Sequence, residues 1–287
     1  MIADSELIIN PNGSVFHLHL CPGQLAPTVI LVGDPSRSDA IAKKMDTVEL
    51  SVANREFVSH TGIKNGQRIT VVSTGIGCDN IDIVLTELDA LVNVDFATRE
   101  VKTYKTSLRI IRLGTSGALQ RNIHIGHYIA SAYSIGIDGL LNFYNSSSVR
   151  DHDFEEAFME QTSWSKTKAR PYIVKDDTEL LQLFSDFAQC GITISAGGFY
   201  GPQGRVVRLP LSEVNYLEMI ERFNYRGLSI TNFEMEGAAI AGLAALLGHR
   251  ALTICAIIAQ RVKGQSEPDY HSIVEKLIDV ALDKLTK

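Results

Sequence analysis

Apolar residues follow two different periods along this 287-residue chain. Short runs rich in β-branched residues predict buried strands over residues 28–32, 68–73, 108–113, 128–133, 192–196 and 251–259. Stripes of apolar residues three or four positions apart predict helices over residues 38–45, 79–92, 177–190, 212–223, 237–247 and 271–285. Strands and helices alternate without a repeat or a linker, so the pattern predicts one α/β domain over residues 1–287, its sheet covered on both faces.

Residues 142–168 depart from this pattern. Their composition shifts to Ser, Asp, Glu and Lys, and few strand signals occur. The segment is too short to be a domain of its own, so we expect a long excursion over the surface.

Composition excludes several classes of protein. Apolar residues make up 45% and charged residues 21%, and the net charge of -6 with a pI near 5.8 gives no reason to expect nucleic-acid binding. No apolar run approaches the ~20 residues of a membrane span, and residues 1–11 lack the basic region of a secretory signal. The four cysteines are far apart, which argues against a disulfide framework and a zinc site. We therefore expect a cytoplasmic protein.

An arginine stands near the end of the third predicted strand. Arg112 precedes Gly114, Thr115, Ser116 and Gly117, which predict an abrupt turn. A buried guanidinium is costly unless an anion or acceptors meet it, and ligands of open α/β sheets bind beyond the carboxyl ends of strands. Arg112, the two hydroxyls of Thr115 and Ser116, and two glycines that admit a ligand to the backbone together suggest an oxyanion seat. An arginine paired with a structural carboxylate explains the stretch equally well.

Residues 33–37, Gly-Asp-Pro-Ser-Arg, connect the first predicted strand to a helix. An Asp cap and a Pro in the first turn explain this sequence structurally. Gly33 also exposes backbone N–H groups at a helix start, where anions bind, and Arg37 would close over such an anion. No Gly-Lys-Ser/Thr follows, so this is not a Walker-type phosphate loop.

Glu234, Met235 and Glu236 precede the Ala-rich helix predicted over residues 237–247. Acids at a helix N-terminus are stabilised by its dipole, which is the simpler explanation. Alternatively, Glu236 accepts hydrogen bonds from sugar hydroxyls, with Met235 as an apolar wall. His17, taken alone, is expected to be an ordinary surface histidine.

Residues 199–205 combine an aromatic pair with Gln203 and Arg205 across helix-breaking residues. Glutamine supplies a donor and an acceptor, and arginine supplies donors only. That set suits the edge of a pyrimidine, where carbonyl and N–H groups alternate, and Phe199 offers a stacking face. A loop-closing Arg205 paired with a carboxylate is equally reasonable. Arg261 is again a cation at the end of a predicted strand.

Together these motifs resemble the nucleoside phosphorylase family of the hexameric, uridine-phosphorylase type, over nearly the whole chain. The matching segments are residues 33–37 (Gly-Asp-Pro-x-Arg), 55–57 (Arg-Glu-Phe), 73–77 (Ser-Thr-Gly-Ile-Gly), 112–117 (Arg-x-Gly-Thr-Ser-Gly) and 234–236 (Glu-Met-Glu). The Phe-Tyr-x-x-Gln-x-Arg segment at 199–205 is the most specific, because it separates uridine-specific from purine-selective members. The resemblance implies a three-layer fold with a central mixed, twisted sheet flanked by helices.

The resemblance also implies residue roles. Phosphate would be bound by Gly33, Arg37, Arg112 and Thr115, with Arg55 reaching over from a neighbouring subunit. Ribose would be bound by Met235 and Glu236, with His17 from the same neighbour, and uracil by Phe199, Gln203, Arg205 and Arg261. Arg112 would position the phosphate, while Arg205 and Gln203 would stabilise negative charge on the departing uracil.

The implied reaction is phosphorolysis of uridine to uracil and ribose 1-phosphate, with inorganic phosphate as a co-substrate and no cofactor. A homo-oligomer is implied, a dimer at least, with a hexamer as the larger alternative. The resemblance also implies potassium or another monovalent cation at the dimer interface, near Glu56, Ile76 and Asn80.

Three alternatives remain. A nucleosidase would use water, which leaves Arg37, Arg55 and Arg112 without a purpose. A purine nucleoside phosphorylase is disfavoured by Gln203, Arg205 and Arg261. A non-catalytic nucleoside-binding or storage protein of the same fold is the third alternative, because a fold does not guarantee activity.

Overall fold

The computed structural model describes all 287 residues. Its strands are β1 (Thr28–Val32), β2 (Thr47–Asn54), β3 (Phe57–Lys64), β4 (Gln67–Ser73), β5 (Val94–Asp95), β6 (Glu100–Val101), β7 (Arg109–Ala118), β8 (Tyr128–Gly136), β9 (Tyr172–Lys175), β10 (Gln189–Ser195), β11 (Asn224–Tyr225), β12 (Leu228–Glu234), β13 (Arg250–Gln260) and β14 (Gln265–Ser266). Its helices are α1 (Pro35–Ala42), α2 (Cys78–Asn93), α3 (His152–Gln161), α4 (Thr178–Leu183), α5 (Tyr216–Arg222), α6 (Gly237–Leu247) and α7 (His271–Leu285).

One mixed sheet forms the centre of the molecule, in the order β11-β12-β10-β8-β13-β7-β1-β4-β3-β2. The neighbours β4, β1, β7 and β13 are parallel, whereas β13 and β8 are antiparallel. β12 also pairs with the end of β7, with Phe233 opposite Gly117, so that β12, β10, β8, β13 and β7 close on themselves. The predicted α/β fold with a central mixed sheet is confirmed.

Helices cover both faces of this sheet, because successive side chains of a strand point to opposite sides. On β1, Ile30 points into the core that Leu277 of α7 completes. Its neighbour Leu31 points into the other core, with Leu85 of α2 and Ile240 of α6. These two cores hold the parallel strands in place. The carboxyl ends of the parallel strands all lie at the same edge of the sheet.

Two predicted elements differ from the structure for visible reasons. The strand predicted over 108–113 continues to Ala118, because β13 pairs with it from Arg109 to the end, where Ala118 lies opposite Gln260. The abrupt turn predicted at residues 114–117 is therefore wrong. The helix predicted over 177–190 ends at Leu183, because Gln189 and the residues after it pair with β8 as strand β10.

Residues 142–168 are more than a surface excursion. They contain α3, which begins where the Asp151 carboxylate accepts a hydrogen bond from the Phe154 N–H at 3.1 Å. Phe154 and Phe158 on this helix are fully buried in a third apolar cluster with Phe223 and Phe233. The polar composition hid this helix, because only one narrow face of it is apolar.

None of the helices combines the length and apolar composition that a bilayer crossing needs. All four cysteines are free thiols.

Candidate active site

A cavity of about 850 Å³ opens at the carboxyl edge of the parallel strands. This is where the topology of an α/β sheet places ligands. The predicted site residues that line it are Gly33, Arg37, Arg112, Thr115, Phe199, Gln203, Arg205, Met235, Glu236 and Arg261. His17 and Arg55 do not line it. The tertiary structure thus brings together segments that lie far apart along the chain.

Arg112 is buried and lies between two carboxylates. Its Nη2 donates to Glu236 and lies 3.3 Å from Oε2 of Glu234. Burial disfavours the charged guanidinium, but the attraction of Glu236 and Glu234 is stronger and raises the pKa of Arg112. Nη1 has no hydrogen-bond partner in the protein. The pairing of Arg112 with a structural carboxylate is therefore confirmed, and the oxyanion seat stays a prediction for a residue that also forms part of the cavity wall.

The glycines of this strand make room for arginine side chains. A Cβ atom on Gly114 would overlap Nη1 of Arg112, and one on Gly117 would lie 3.0 Å from Cγ of Arg261. Arginine side chains therefore occupy the space beside both glycines, and Gly117 also lines the cavity, so the expectation that these glycines admit a ligand to the backbone stays a prediction. They allow two guanidinium groups to reach the cavity across the surface of β7.

Arg37 lies in the first turn of α1, close enough to Arg112 for the two charges to repel. Asp34 caps α1 by accepting a hydrogen bond from the Ser36 N–H at 2.8 Å, and Pro35 occupies the first turn. Arg37 then donates to the Leu113 carbonyl oxygen at 3.1 Å. Burial, followed by repulsion from Arg112, lowers the pKa of Arg37. Two cations this close are favourable only with an anion between them.

The two glutamates before α6 have different partners. The Glu234 carboxylate accepts the Glu236 and Gly237 N–H groups at 2.9 Å and the Ser195 hydroxyl, so it caps the helix as the simpler explanation proposed. Burial raises the pKa of Glu234, although the attraction of the Arg112 cation opposes this shift. Both glutamates line the cavity, and Glu236 accepts the Gly77 N–H at 2.7 Å.

At the other end of the cavity, Gln203 is held by two arginines. Arg205 donates to Oε1 of Gln203 at 2.6 Å, and Arg261 donates to its backbone oxygen at 2.9 Å. Arg205 pairs with no carboxylate, so the alternative of a loop-closing ion pair is wrong. Burial, followed by repulsion from Arg261, lowers the pKa of Arg205 to about 10. Nη1 of Arg261 is buried without a partner.

His17 and Arg55 form a separate patch on the surface. The His17 ring donates to or accepts from Glu87 at 2.7 Å, and its carbonyl oxygen accepts from Asn54, the residue before Arg55. His17 lies at the surface as expected, but it is partly buried and its ring is paired with Glu87. Arg55 is exposed at the tip of the β2–β3 hairpin, with φ of 53°. The next residue, Glu56, packs on Gly75 at the rim of the cavity.

A model of the phosphorylase superfamily matches residues 27–287 of this sequence. The chain belongs to the phosphorylase superfamily. The family resemblance drawn from the motifs is thus confirmed.

Individual superfamily members match over most of their length. The chain is similar to a uridine phosphorylase of Haemophilus influenzae, with 29% identity over 93% of this chain and 96% of that one. It is 30% identical to a uridine phosphorylase of Thermococcus kodakarensis, over 88% of this chain and 80% of the relative. A solved Trypanosoma brucei nucleoside phosphorylase, described as showing uridine phosphorylase activity, has a TM-score of 0.88 at 28% identity, over 97% of this chain and 99% of that one.

One wall of the cavity in this superfamily member consists of residues that no motif predicted. It is formed after β13 by Gly264, Gln265, Ser266, Glu267, Pro268 and Tyr270. The segment folds back because β14 pairs with the end of β13, with Gln265 opposite Gln260. The glycine at 264, with φ of 64°, is the one signal of this turn in the sequence.

Proposed function

We propose that this protein catalyses the phosphorolysis of uridine to uracil and ribose 1-phosphate. One observation carries the proposal. Nη1 of Arg112 and Nη1 of Arg261 are buried donors without protein partners, and the two side chains belong to different clusters in the wall of one cavity. A buried donor left unpaired costs about 1–3 kcal/mol, so each calls for a ligand. A phosphate at one and a nucleobase at the other satisfy both.

The phosphate end consists of Arg37, Arg112, Thr115 and the backbone at Gly33. Guanidinium groups bind phosphate oxygens with charge-assisted hydrogen bonds, and the start of α1 supplies N–H groups. A phosphate would also relieve the repulsion that lowers the pKa of Arg37. Glu236, bound to Arg112 and next to Met235, has the acceptor oxygens that ribose hydroxyls need.

The base end consists of Gln203, Arg205 and Arg261. Their free N–H groups suit the carbonyl oxygens of uracil, and no carboxyl group is paired with either arginine to donate a proton to a purine leaving group. This favours a pyrimidine base over a purine. The uridine phosphorylases that match the chain over most of its length support the same substrate.

The residues support a direct displacement. A phosphate oxygen forms a bond to C1′ while the bond from C1′ to N1 breaks, and its electron pair goes to uracil. Arg37 and Arg112 orient the phosphate, and Arg205 and Arg261 stabilise the negative charge on the base. The reaction needs neither a covalent nucleophile nor a redox cofactor.

The active unit in this proposal is a dimer at least. The patch of His17 and Arg55 adjoins the cavity rim through Glu56 and Gly75 without reaching the cavity. A neighbouring subunit that covers the rim would supply its own Arg55 to the phosphate and its own His17 to the ribose. The side chains of Glu56 and Asn80 both approach Gly75, which is next to Ile76. The proposed monovalent cation would bind at this place.

The test is uracil release from uridine with and without inorganic phosphate, with inosine as a parallel substrate. We expect release only with phosphate, and none from inosine. Release without phosphate would identify a nucleosidase, cleavage of inosine a purine phosphorylase, and binding without turnover a storage protein. Arg112→Lys should lower turnover about 10²-fold. Arg109→Lys is the matched control. Arg109 lies at the other end of the same strand, where it donates to the Thr28 hydroxyl, and we expect this variant to keep full activity.

A further inference from the structure

The loop that would bind the base, residues 199–205, is held from behind by α5. Tyr216 is buried, and its hydroxyl donates to the Pro202 carbonyl oxygen at 3.1 Å. Leu217 packs so closely on Gly204 that a Cβ atom there would lie 2.6 Å from Cγ of Leu217. Gly204 has φ of 69°, which favours glycine at this contact.

Tyr216 is in turn held by residues of the segment that precedes β9. Nζ of Lys168 lies 4.6 Å from the centre of the Tyr216 ring and 4.7 Å from the centre of the Trp164 ring. It also pairs with Glu213 at 2.5 Å. The Trp164 indole donates to the Ala169 carbonyl oxygen at 2.9 Å, which fixes its ring. We call Trp164, Lys168 and Tyr216 the brace.

The brace and the cavity hold the loop from opposite sides. Tyr216 binds the carbonyl oxygen of Pro202, and Arg261 binds that of the next residue, Gln203. Gln203, which carries the second of these carbonyl groups, is bonded through its side chain to Arg205. Gln203 and Arg205, which would bind the base, therefore depend on a loop that is partly anchored outside the cavity, by Tyr216.

Packing alone does not hold the loop. A second cavity of about 410 Å³ lies behind it, and its walls include Pro202, Trp164, Lys168 and Tyr216. This space would let the loop move outward if the hydrogen bond from Tyr216 were lost. The hydrogen bond from Tyr216 and the Lys168 cation between the two rings thus determine the position of the loop.

We propose that Tyr216, held by Lys168 and Trp164, is a positioning residue for base recognition, which sets the place of Gln203 and Arg205 from outside the cavity. The proposal rests on the proposed function, and it gives part of residues 142–168 a role in specificity. Tyr216 touches neither substrate. Its loss should therefore weaken binding of the base and leave binding of phosphate unchanged.

The experiment compares the unaltered protein with Tyr216→Phe, which removes only the hydroxyl. We expect the KM for uridine and the Kd for uracil, measured by calorimetry, to rise about 3- to 10-fold, the equivalent of one hydrogen bond. The KM for phosphate should stay the same. Lys168→Met should have a similar effect, and Lys168→Arg, which keeps a cation between the rings, should largely restore the original values.

Tyr128→Phe is the matched control. Tyr128 is also buried and donates to a carbonyl oxygen, that of Ile273, at 2.9 Å, but it lies away from the loop. We expect its KM for uridine to stay unchanged, at a similar loss of thermal stability. Should Tyr216→Phe fail to fold, Lys168→Met and Lys168→Arg carry the same comparison.

A Tyr216→Phe protein with unchanged KM for uridine would overturn the proposal, as would equal rises in the KM values for uridine and phosphate. Either result would leave the proposed function standing, because the unaltered protein would still release uracil from uridine. If the unaltered protein releases none, the proposed function is wrong, and this proposal is wrong with it.

Discussion

The guanidinium of Arg205 lies 3.7 Å from the centre of the Phe199 ring and donates to the Phe199 carbonyl oxygen at 2.6 Å. The family resemblance implies that Phe199 stacks on the base, but here an arginine covers one face of the ring. The ring therefore orients Arg205, and only its remaining exposed surface is open to a base.

From this geometry we expect Arg205→Ala to lower kcat/KM for uridine about 10²-fold, because it removes a donor from the charge that develops on uracil. The KM for phosphate should change little. Steady-state kinetics with each substrate varied in turn measures both effects. Arg208→Ala is the control, since Arg208 is an exposed cation on the same segment and should be replaceable without loss. An equal loss in both variants would argue for a general effect of charge.

The two glycines of β7 should affect different substrates. Gly114→Ala would push the Arg112 guanidinium away, so we expect the KM for phosphate to rise with that for uridine unchanged. Gly117→Ala would displace Arg261, whose Cγ and Cδ lie 3.0 and 3.1 Å from the new Cβ, so the KM for uridine should rise instead. The same KM pattern in both variants would contradict the assignment of two ends to the cavity.

Mixed oligomers test whether Arg55 acts in a neighbouring subunit. Arg55→Ala and Arg112→Lys should each have strongly reduced activity when expressed alone. In a mixed dimer, one cavity keeps its own Arg112 and receives an intact Arg55 from its partner, so about half of the sites regain activity. Co-expression with two different tags isolates the mixed species. If the mixed dimers stay inactive, Arg55 does not act across the interface.

Two neighbouring aspartates should give stability opposite dependences on pH. Burial raises the pKa of Asp176 well above its ordinary value, although Ser134 donates to it at 2.8 Å. The folded state then holds a proton that the unfolded state releases, so stability falls as pH rises above the ordinary pKa. Asp176→Asn should remove this loss, which thermal unfolding at pH 4 to 8 would record as a flatter curve.

Asp177 provides the comparison. Hydrogen bonds from Arg250 lower the pKa of Asp177, so its contribution is present at neutral pH and is lost as pH falls through the lowered value. Asp177→Asn should therefore destabilise the protein at pH 7, and this destabilisation should shrink as the pH falls below the ordinary pKa of aspartate. If the stability of the two variants changed with pH in the same way, the opposite pKa shifts of Asp176 and Asp177 would be contradicted.

The sequence was informative where a signal is local. Periodicity located α6 and α7 over their observed residues, because a helix needs only its own apolar face to be recognised. Short motifs identified most of the cavity wall, because turns at strand ends follow from Gly, Pro and Asp within a few positions. The helix α3 was missed because its polar residues outweigh Phe154 and Phe158.

The partners of the charged groups were decided by the tertiary structure. Arg112 and Glu236 are 124 residues apart, and only the closure of β12 onto the end of β7 makes them neighbours. Another long-range pairing, that of β13 with β7, lets β7 continue through its glycines. Sequence by itself thus determined the family, most of the elements and the chemistry available. Which guanidinium faces which acceptor depends on the pairing of distant strands, which no local pattern records.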